Sequence, residues 1–123
     1  PMDRAQETAA IIAQKVGVSV LTEPLLIEQD FGTFEGRSVD DPEYREKRKS
    51  LLWHYPQGES TAQLIHRAYT VIEKVRDAYP DKRVLLVSHG CFCRAARTYF
   101  VDIPFGDFYE FYMENCQLLE FDL

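Results

Sequence analysis

The spacing of apolar residues predicts a helix near the start of the chain. They recur there every three or four positions, at Ala5, Ala9, Ile12 and Val16. Asp3, followed by Gln6 three residues later, resembles a capping box, and Gly17 is a typical helix stop. We therefore expect a helix that Asp3 caps and Gly17 ends.

Three further helices are predicted from their starting residues. Asp41 and Pro42 open a charge-rich helix that continues through Trp53. Ser60 and Gln63 open the most strongly patterned helix of the chain, which ends before Pro80. Its apolar face contains Leu64, Ala68, Val71, Val75 and Ala78. A last helix is expected over residues 91–100.

Three short segments read as strands. Residues 83–88 form a continuous apolar run, which is typical of a strand buried on both faces of a parallel sheet. Residues 18–21 and 116–123 are shorter or weaker candidates. Because helices and strands alternate, the pattern indicates a single α/β domain over residues 1–123.

Composition excludes several classes of protein. The chain has 123 residues and a net charge of −6, without a cluster of Lys and Arg, which argues against nucleic-acid binding. It contains no apolar run near the ~20 residues of a membrane helix, and no secretion leader is recognised. Three cysteines do not suggest a disulfide framework, so we expect buried thiols in a reducing cytoplasm.

His89 is the first candidate for chemistry. It follows the apolar run 83–88 and precedes a helix, and ligands of open parallel sheets bind at the carboxyl ends of strands. The start of that helix also attracts anions, and histidine can carry charge or move a proton near neutral pH. A histidine that only bonds a neighbouring loop is the alternative.

Arg4 and Glu28 are candidates of a different kind. Arg4 lies in the first turn of a helix, where a positive charge opposes the helix dipole, and gripping a phosphate would explain it. Glu28 lies between apolar residues and glycines, where a carboxyl could be desolvated as a general acid requires. Three other loop carboxylates compete with Glu28 for that role: Asp30, Glu35 and Glu59.

Two cysteine-based interpretations are rejected. Cys91 and Arg97 have the spacing of cysteine-dependent tyrosine phosphatases, but the five residues between Cys91 and Arg97 favour a helix rather than an amide cradle. His89, Cys91 and Cys93 lack the spaced pairs and fourth ligand of a zinc site, so no metal is expected.

Taken together, five motifs resemble those of the histidine phosphatase superfamily, which has the phosphoglycerate mutase-like fold. Residues 1–9, PMDRAQETA, are similar to the family's SPxxRAxxTA, and residues 26–36 to LxExxFGxxEG. Residues 56–60, PQGES, match PxGES, and residues 84–90, VLLVSHG, match VLVVSHG. Asn115 and Cys116 resemble the NC before the last strand. The motifs follow the family's order over nearly the whole chain.

The resemblance implies roles for particular residues. Arg4 would hold the phosphoryl oxygens, His89 would bind the phosphate and stabilise charge on the transferring group, and Glu28 would protonate the leaving oxygen. Glu59 and Gly90, which lie within the motifs, are additional candidates. The family works through a phosphohistidine without a metal, so no cofactor is expected, and the partner is a small phosphorylated substrate. A homo-oligomer is left open.

One family element has no counterpart in the sequence. The nucleophilic histidine lies in an Arg-His-Gly run, which is absent here. We therefore expect a three-layer α/β/α sandwich that lacks its first strand, first helix and second strand, with the nucleophile in an N-terminal segment that precedes Pro1. A second possibility is that another chain or copy supplies the missing part. Because the Trp-Arg-Arg run of glycolytic mutases is also absent, phosphomonoester hydrolysis is preferred. Mutase-type phosphoryl transfer and a catalytically inactive phosphate-binding or interaction domain are the alternatives.

Overall fold

Helices dominate the computed structural model, which describes residues 1–123 apart from the side chain of Phe105. The four α-helices are α1 (Asp3–Val16), α2 (Pro42–Lys47), α3 (Thr61–Ala78) and α4 (Gly90–Arg97). Single 3₁₀ turns occur at Pro24–Leu26, Gly32–Phe34 and Phe105–Asp107. Among the described residues, no helix combines the length and apolar character needed to cross a membrane.

Helix α1 confirms the predicted span but not its cap. Met2 is the N-cap residue and makes no side-chain capping bond, while Gln6 donates instead to the Pro1 carbonyl (2.7 Å). The prediction that Asp3 caps the helix is therefore wrong, because Asp3 is already the first helical residue. Gly17 ends the helix as predicted, in the left-handed conformation with φ 74°.

Helix α3 is the central element of the core. Ser60 accepts a hydrogen bond from the Gln63 N–H and Gln63 returns one to the Ser60 N–H, so the predicted capping box is confirmed. Helix α4 packs against α3, and the turn Pro24–Leu26 packs on the same side. The buried core cluster consists of Leu26, Leu64, Ala68, Val71, Phe92 and Ala95. Of the predicted apolar face, Val75 is half-buried and Ala78 is exposed.

Two helices end earlier than predicted. Helix α2 begins at Pro42 with Asp41 as its side-chain cap, as expected, but ends at Lys47 rather than Trp53. Residues 45–49 are all charged, so no apolar face extends the helix beyond its cap. Helix α4 ends at Arg97, and residues 98–100 form a turn.

The three predicted strands are not strands in the structure. Residues 83–88 make no backbone–backbone hydrogen bond to any described residue, and the same holds for 118–123. The one paired bridge found among the described residues is antiparallel, between His54 and Ser60. A strand requires a neighbour that supplies the ladder, and periodicity alone cannot supply one. The described residues therefore contain no sheet, and the α/β/α sandwich that the resemblance implies is not confirmed by them.

Two loops cross in close contact next to α3. Gly32 has φ 52°, and a Cβ atom there would lie 2.0 Å from the Pro56 carbonyl oxygen. A Cβ atom on Gly58 would lie 2.4 Å from the Asp30 carbonyl oxygen. Thr33 donates to the Pro56 carbonyl (3.0 Å) on the same crossing. Both glycines are required by this approach, which fixes the segment after Glu28.

Candidate active site

The carboxylate of Glu28 lies at the N-terminus of α4. Its Oε2 accepts a hydrogen bond from the Cys91 N–H (3.2 Å), and its Oε1 accepts from the Phe92 N–H (3.1 Å). The Gln29 N–H also donates to Oε1 (2.9 Å). The first N–H groups of a helix lack partners within the helix and attract negative charge. The anion at this helix start is therefore a side chain of the protein itself.

His89 is the N-cap residue of α4 and is 8% exposed. Its Nε2 atom is buried without a hydrogen-bond partner among the described residues. Burial is the main cause of a lowered pKa at His89; the Glu28 carboxylate opposes this shift and the Arg4 guanidinium adds to it. The neutral imidazole is therefore favoured at neutral pH.

Arg4 projects from the first turn of α1 and is exposed. Among the described residues its guanidinium forms no ion pair, although its charge acts on His89 together with that of Glu28. Arg4 and Glu28 are far from His89 in the sequence, yet the charges of both shift the pKa of His89.

An arginine that the sequence analysis missed holds the Glu28 loop in place. Arg67 donates through Nη1 to the carbonyls of Leu25 (2.6 Å) and Ile27 (2.7 Å), and through Nη2 to that of Glu28 (3.3 Å). Nη2 also pairs with the Glu59 carboxylate at 2.5 Å, with side chains only 13% and 17% exposed. A signal was present in the sequence, since position 67 lies three residues after Leu64, on the apolar face of α3.

The remaining carboxylate candidates have structural partners in the loops. Glu59 accepts a hydrogen bond from the Asp30 N–H (3.1 Å) and also pairs with Arg67, so it helps to hold the Glu28 loop in place. Asp30 accepts from the Gly32 N–H (2.8 Å), and Glu35 accepts from the Phe31 N–H (2.9 Å). Of the four acids, Glu28 is the one that contacts the helix that His89 caps.

Two further hydrogen bonds hold the Glu28 loop in place. The Ser88 hydroxyl donates to the Leu26 carbonyl (2.7 Å), which ties the residue before His89 to the Glu28 loop. The buried Gln29 donates through Nε2 to Thr61 Oγ1 (3.4 Å) at the start of α3. Gly90 is the first residue of α4, and a Cβ atom there would meet nothing within 4 Å. Packing therefore does not require a glycine at position 90.

The cysteines next to the site are poor nucleophiles. Burial raises the pKa of Cys91 to about 11 and that of Cys93 to about 11, and the Glu28 carboxylate adds to both shifts. Helix α4 also runs from Gly90 to Arg97, so the residues after Cys91 form no amide cradle. Among the described residues, no group of three or more His, Cys, Asp or Glu side chains is arranged to hold a metal ion.

Tyr55 and Tyr109 have different surroundings. Tyr55 is 2% exposed and packs edge-on against Trp53, with ring centroids 4.6 Å apart. Tyr55 thus belongs to the interior. Tyr109 instead lies half-buried beside two arginines, Arg48 and Arg94.

Comparison with known sequences gives a consistent result. A family profile described as the histidine phosphatase superfamily (branch 1) matches residues 1–123. The chain is 29% identical, over 128 residues, to the probable phosphoglycerate mutases GpmB of Yersinia pestis and Yersinia pseudotuberculosis. Each alignment covers 98% of this chain and 60% of the relative. The chain therefore spans about 60% of the length of these curated relatives.

Solved structures agree at the level of the fold. The open reading frame Rv3214 from Mycobacterium tuberculosis is 34% identical, with a TM-score of 0.69, over 92% of this chain and 57% of that one. The mycobacterial glucosyl-3-phosphoglycerate phosphatase Rv2419c, solved with inorganic phosphate, has a TM-score of 0.72 at 24% identity. That second alignment covers 85% of this chain and 57% of the other. The aligned residues thus have a fold similar to that of the corresponding parts of these proteins.

Proposed function

Since the chain belongs to branch 1 of the histidine phosphatase superfamily, we propose that the complete protein hydrolyses a small phosphomonoester through a phosphohistidine. Arg4 binds the phosphoryl oxygens, His89 stabilises the charge on the transferring group, and Glu28 acts as the general acid. Electrostatic clamping and a positioned acid are most of what phosphoryl transfer requires from a protein.

One observation carries this proposal, namely the position of Glu28. Its carboxylate contacts the first turn of α4 directly after His89, and its charge acts on the His89 ring. A proton donor for a leaving oxygen must lie beside the group that holds the phosphate, and this arrangement supports that geometry. The ion pair between Arg67 and Glu59 also supports the proposal, because the loop that carries a catalytic carboxylate has to be fixed in position.

The proposed reaction has two displacements. A histidine nitrogen attacks phosphorus while the bond to the leaving oxygen breaks, and Glu28 supplies the proton that this oxygen needs. Water then attacks the phosphohistidine, with Glu28 accepting a proton, and inorganic phosphate leaves. His54 and His66 are both exposed, and neither lies in an Arg-His-Gly run. We therefore place the nucleophile outside residues 1–123.

The α/β/α sandwich belongs to the same proposal. Val84 and Leu85 are 41% and 49% exposed in a run of the kind that parallel sheets bury. Leu118 is 70% exposed in the other extended segment. In the complete protein, strands beyond the described residues would pair with these segments and cover their side chains.

Hydrolysis is preferred to a mutase reaction because residues 37–58 contain no Trp-Arg-Arg run. The curated relatives are named as probable phosphoglycerate mutases, which keeps mutase-type transfer as the second candidate. Incubating the complete protein with 3-phosphoglycerate and following the products by phosphorus NMR separates the two. Release of inorganic phosphate supports hydrolysis, and formation of the 2-phospho isomer supports the mutase.

The role of Glu28 is tested with substrates that differ in their leaving group. In the complete protein, Glu28→Gln is expected to lower kcat/KM for glycerol 2-phosphate by about 100-fold or more. The loss for 4-nitrophenyl phosphate should be far smaller, because a good leaving group does not need the proton. The matched control is Glu46→Gln, an exposed acid that pairs with Lys49. Equal losses on both substrates would assign the proton to another carboxylate.

The inactive-domain alternative is tested in the same experiment. If the unsubstituted protein releases no phosphate from any ester but binds inorganic phosphate, the proposed hydrolysis is wrong and a binding domain is the correct description.

A further inference from the structure

A chain of hydrogen bonds connects the half-buried Tyr109 with the proposed acid, Glu28. The Tyr109 hydroxyl lies 3.0 Å from Thr61 Oγ1. The Gln29 side chain donates through Nε2 to the same Thr61 oxygen (3.4 Å). The backbone N–H of Gln29 in turn donates to Glu28 Oε1 (2.9 Å). Residues from three separate parts of the chain are thus linked to one carboxylate.

The two middle residues of this chain are buried. Gln29 is 6% exposed and Thr61 is 3% exposed. Polar side chains this far from water are costly without partners, so the bond between them is retained. Thr61 is also the first residue of α3, directly after the capping box that fixes the start of that helix. It is therefore a fixed point that holds Gln29, and with it the N–H that Glu28 accepts.

Tyr109 is held against α4 at the other end of the chain. The guanidinium carbon of Arg94 lies 5.7 Å from the centroid of the Tyr109 ring, and Arg94 Nε donates to the Phe111 carbonyl (3.0 Å). Burial raises the pKa of Tyr109 in spite of the opposing bond to Thr61, so the hydroxyl keeps its proton at neutral pH. Because the start of α4 also donates to Glu28, the contacts form a closed ring that begins and ends on α4.

We propose that Tyr109 is a positioning residue for the general acid and acts on Glu28 through Thr61 and Gln29. This inference rests on the proposed function of Glu28. A catalytic side chain needs neighbours whose own positions are fixed by packing and hydrogen bonds. Arg67 holds the carbonyls of the Glu28 loop, whereas the Tyr109 chain acts on a donor to the carboxylate itself.

The kinetic test removes one oxygen atom from the complete protein. Tyr109→Phe keeps the ring and is expected to lower kcat for glycerol 2-phosphate by about threefold to tenfold, which corresponds to the loss of one hydrogen bond. The kcat for 4-nitrophenyl phosphate should fall by less than about twofold, because that leaving group does not need the proton. KM should stay the same for both substrates, because Tyr109 does not hold the phosphate.

Replacements of Thr61 test the middle of the chain. Thr61→Val should cause the same selective loss of kcat, and Thr61→Ser, which keeps the hydroxyl, should restore most of it. The double replacement with Tyr109→Phe should be no slower than Thr61→Val alone, because both changes break the same chain. If Thr61→Val does not fold, Thr61→Ser and Tyr109→Phe still decide the question.

The matched control is Tyr69→Phe. The Tyr69 hydroxyl lies 3.0 Å from Thr98 Oγ1, so this variant removes a tyrosine–threonine bond of the same length. Among the described residues, neither Tyr69 nor Thr98 is hydrogen-bonded to the Glu28 loop. The control should turn over both substrates as the unsubstituted protein does.

Amide hydrogen exchange, followed by NMR, tests the positioning without turnover. The Gln29 N–H should exchange at least about threefold faster in Tyr109→Phe than in Tyr69→Phe, because its tether to Thr61 is weakened. If the complete protein hydrolyses no ester but this exchange rate rises, the positioning of Glu28 by Tyr109 stands and the proposed function falls.

Three results would overturn the inference while leaving the proposed function intact. The first is an unchanged exchange rate of the Gln29 N–H in Tyr109→Phe. The second is an equal loss of kcat on the alkyl and aryl phosphates, which would indicate a purely structural role. The third is a selective loss of the same size in Tyr69→Phe.

Discussion

Replacing Arg67 by alanine is expected to lower the free energy of unfolding by about 2–4 kcal/mol. The side chain is 13% exposed and forms a 2.5 Å ion pair with Glu59. It also donates to three carbonyls of the loop around Glu28, two of them at 2.6 and 2.7 Å. Removing it leaves the Glu59 carboxylate without its cation and the carbonyls without their donors.

The magnitude follows from the partial burial of this pair. Breaking a fully buried ion pair costs about 3–5 kcal/mol, because the remaining charge is uncompensated. Water can reach Glu59 through its 17% exposed surface, so we place the loss below the upper end of that range. For a complete protein of the relatives' length, about 2–4 °C of melting temperature corresponds to each kcal/mol, and the expected drop is roughly 4–16 °C.

The assay is urea and thermal unfolding of the complete protein, with Arg76→Ala as the control. Arg76 lies on the same helix α3, but its ion pairs with Glu73 and Asp77 are exposed and should contribute little. Arg67→Lys should have an intermediate effect, since one ammonium group cannot reach the carboxylate and all three carbonyls.

A second readout concerns position rather than stability. If Arg67 holds the Glu28 loop, Arg67→Lys should lower kcat/KM for an alkyl phosphate more than for an aryl phosphate, as the loss of the acid does. An Arg67→Ala protein that melts within 2 °C of Arg76→Ala would refute the reasoning. So would a double replacement with Glu59→Gln whose effects simply add.

Three further predictions concern the loop crossing, the thiols and His89. Gly58→Ala should lower the melting temperature markedly, because its Cβ atom would lie 2.4 Å from the Asp30 carbonyl oxygen. Gly106→Ala is the control, because a Cβ atom there would meet nothing within 4 Å. Equal melting temperatures of the two variants would contradict the close crossing of the loops. Maleimide at pH 8 should label the exposed Cys116 before Cys91 and Cys93, because burial raises the pKa of both of the latter to about 11. Peptide mass spectrometry identifies the labelled cysteine, and labelling of Cys91 first would contradict the burial of that thiol. The pKa of His89 should lie below the ordinary 6.5 in an NMR titration. Because the unfolded chain then binds more protons, His89 contributes stability above pH 6.5 that is lost as the pH falls through its folded pKa. His89→Asn should therefore flatten that part of the curve of stability against pH. A measured pKa above 6.5 would contradict this prediction.

Local signals in the sequence predicted the helices well. The capping box at Ser60 and Gln63, the Asp41 cap and the Gly17 stop all act through neighbours within four residues, and all are confirmed. Helix length was less predictable, as at Lys47, because a run of charges carries no information about where packing ends.

The strands show the opposite limit. Residues 83–88 have the composition of a buried strand. A strand also needs a neighbouring strand that pairs with it through backbone hydrogen bonds, from anywhere along the chain, and the described residues supply none. Glu28 and His89 were singled out from their local context, and Glu28 does contact the start of the helix that His89 caps. Arg67 was not predicted, because its role depends on a loop 40 residues away in the sequence.

The crossing of the two glycine loops has a consequence for how this site can change during evolution. Glu59 donates its N–H to the Asp30 carbonyl (2.9 Å) and Thr33 donates to Pro56, so both ends of the intervening segment are clasped together. Lengthening a loop whose ends are already joined costs little, about 0.6 kcal/mol for each doubling. The length of residues 37–54 can therefore change at little cost while the loop crossing keeps Glu28 anchored, so insertions in this segment and the position of Glu28 can evolve separately.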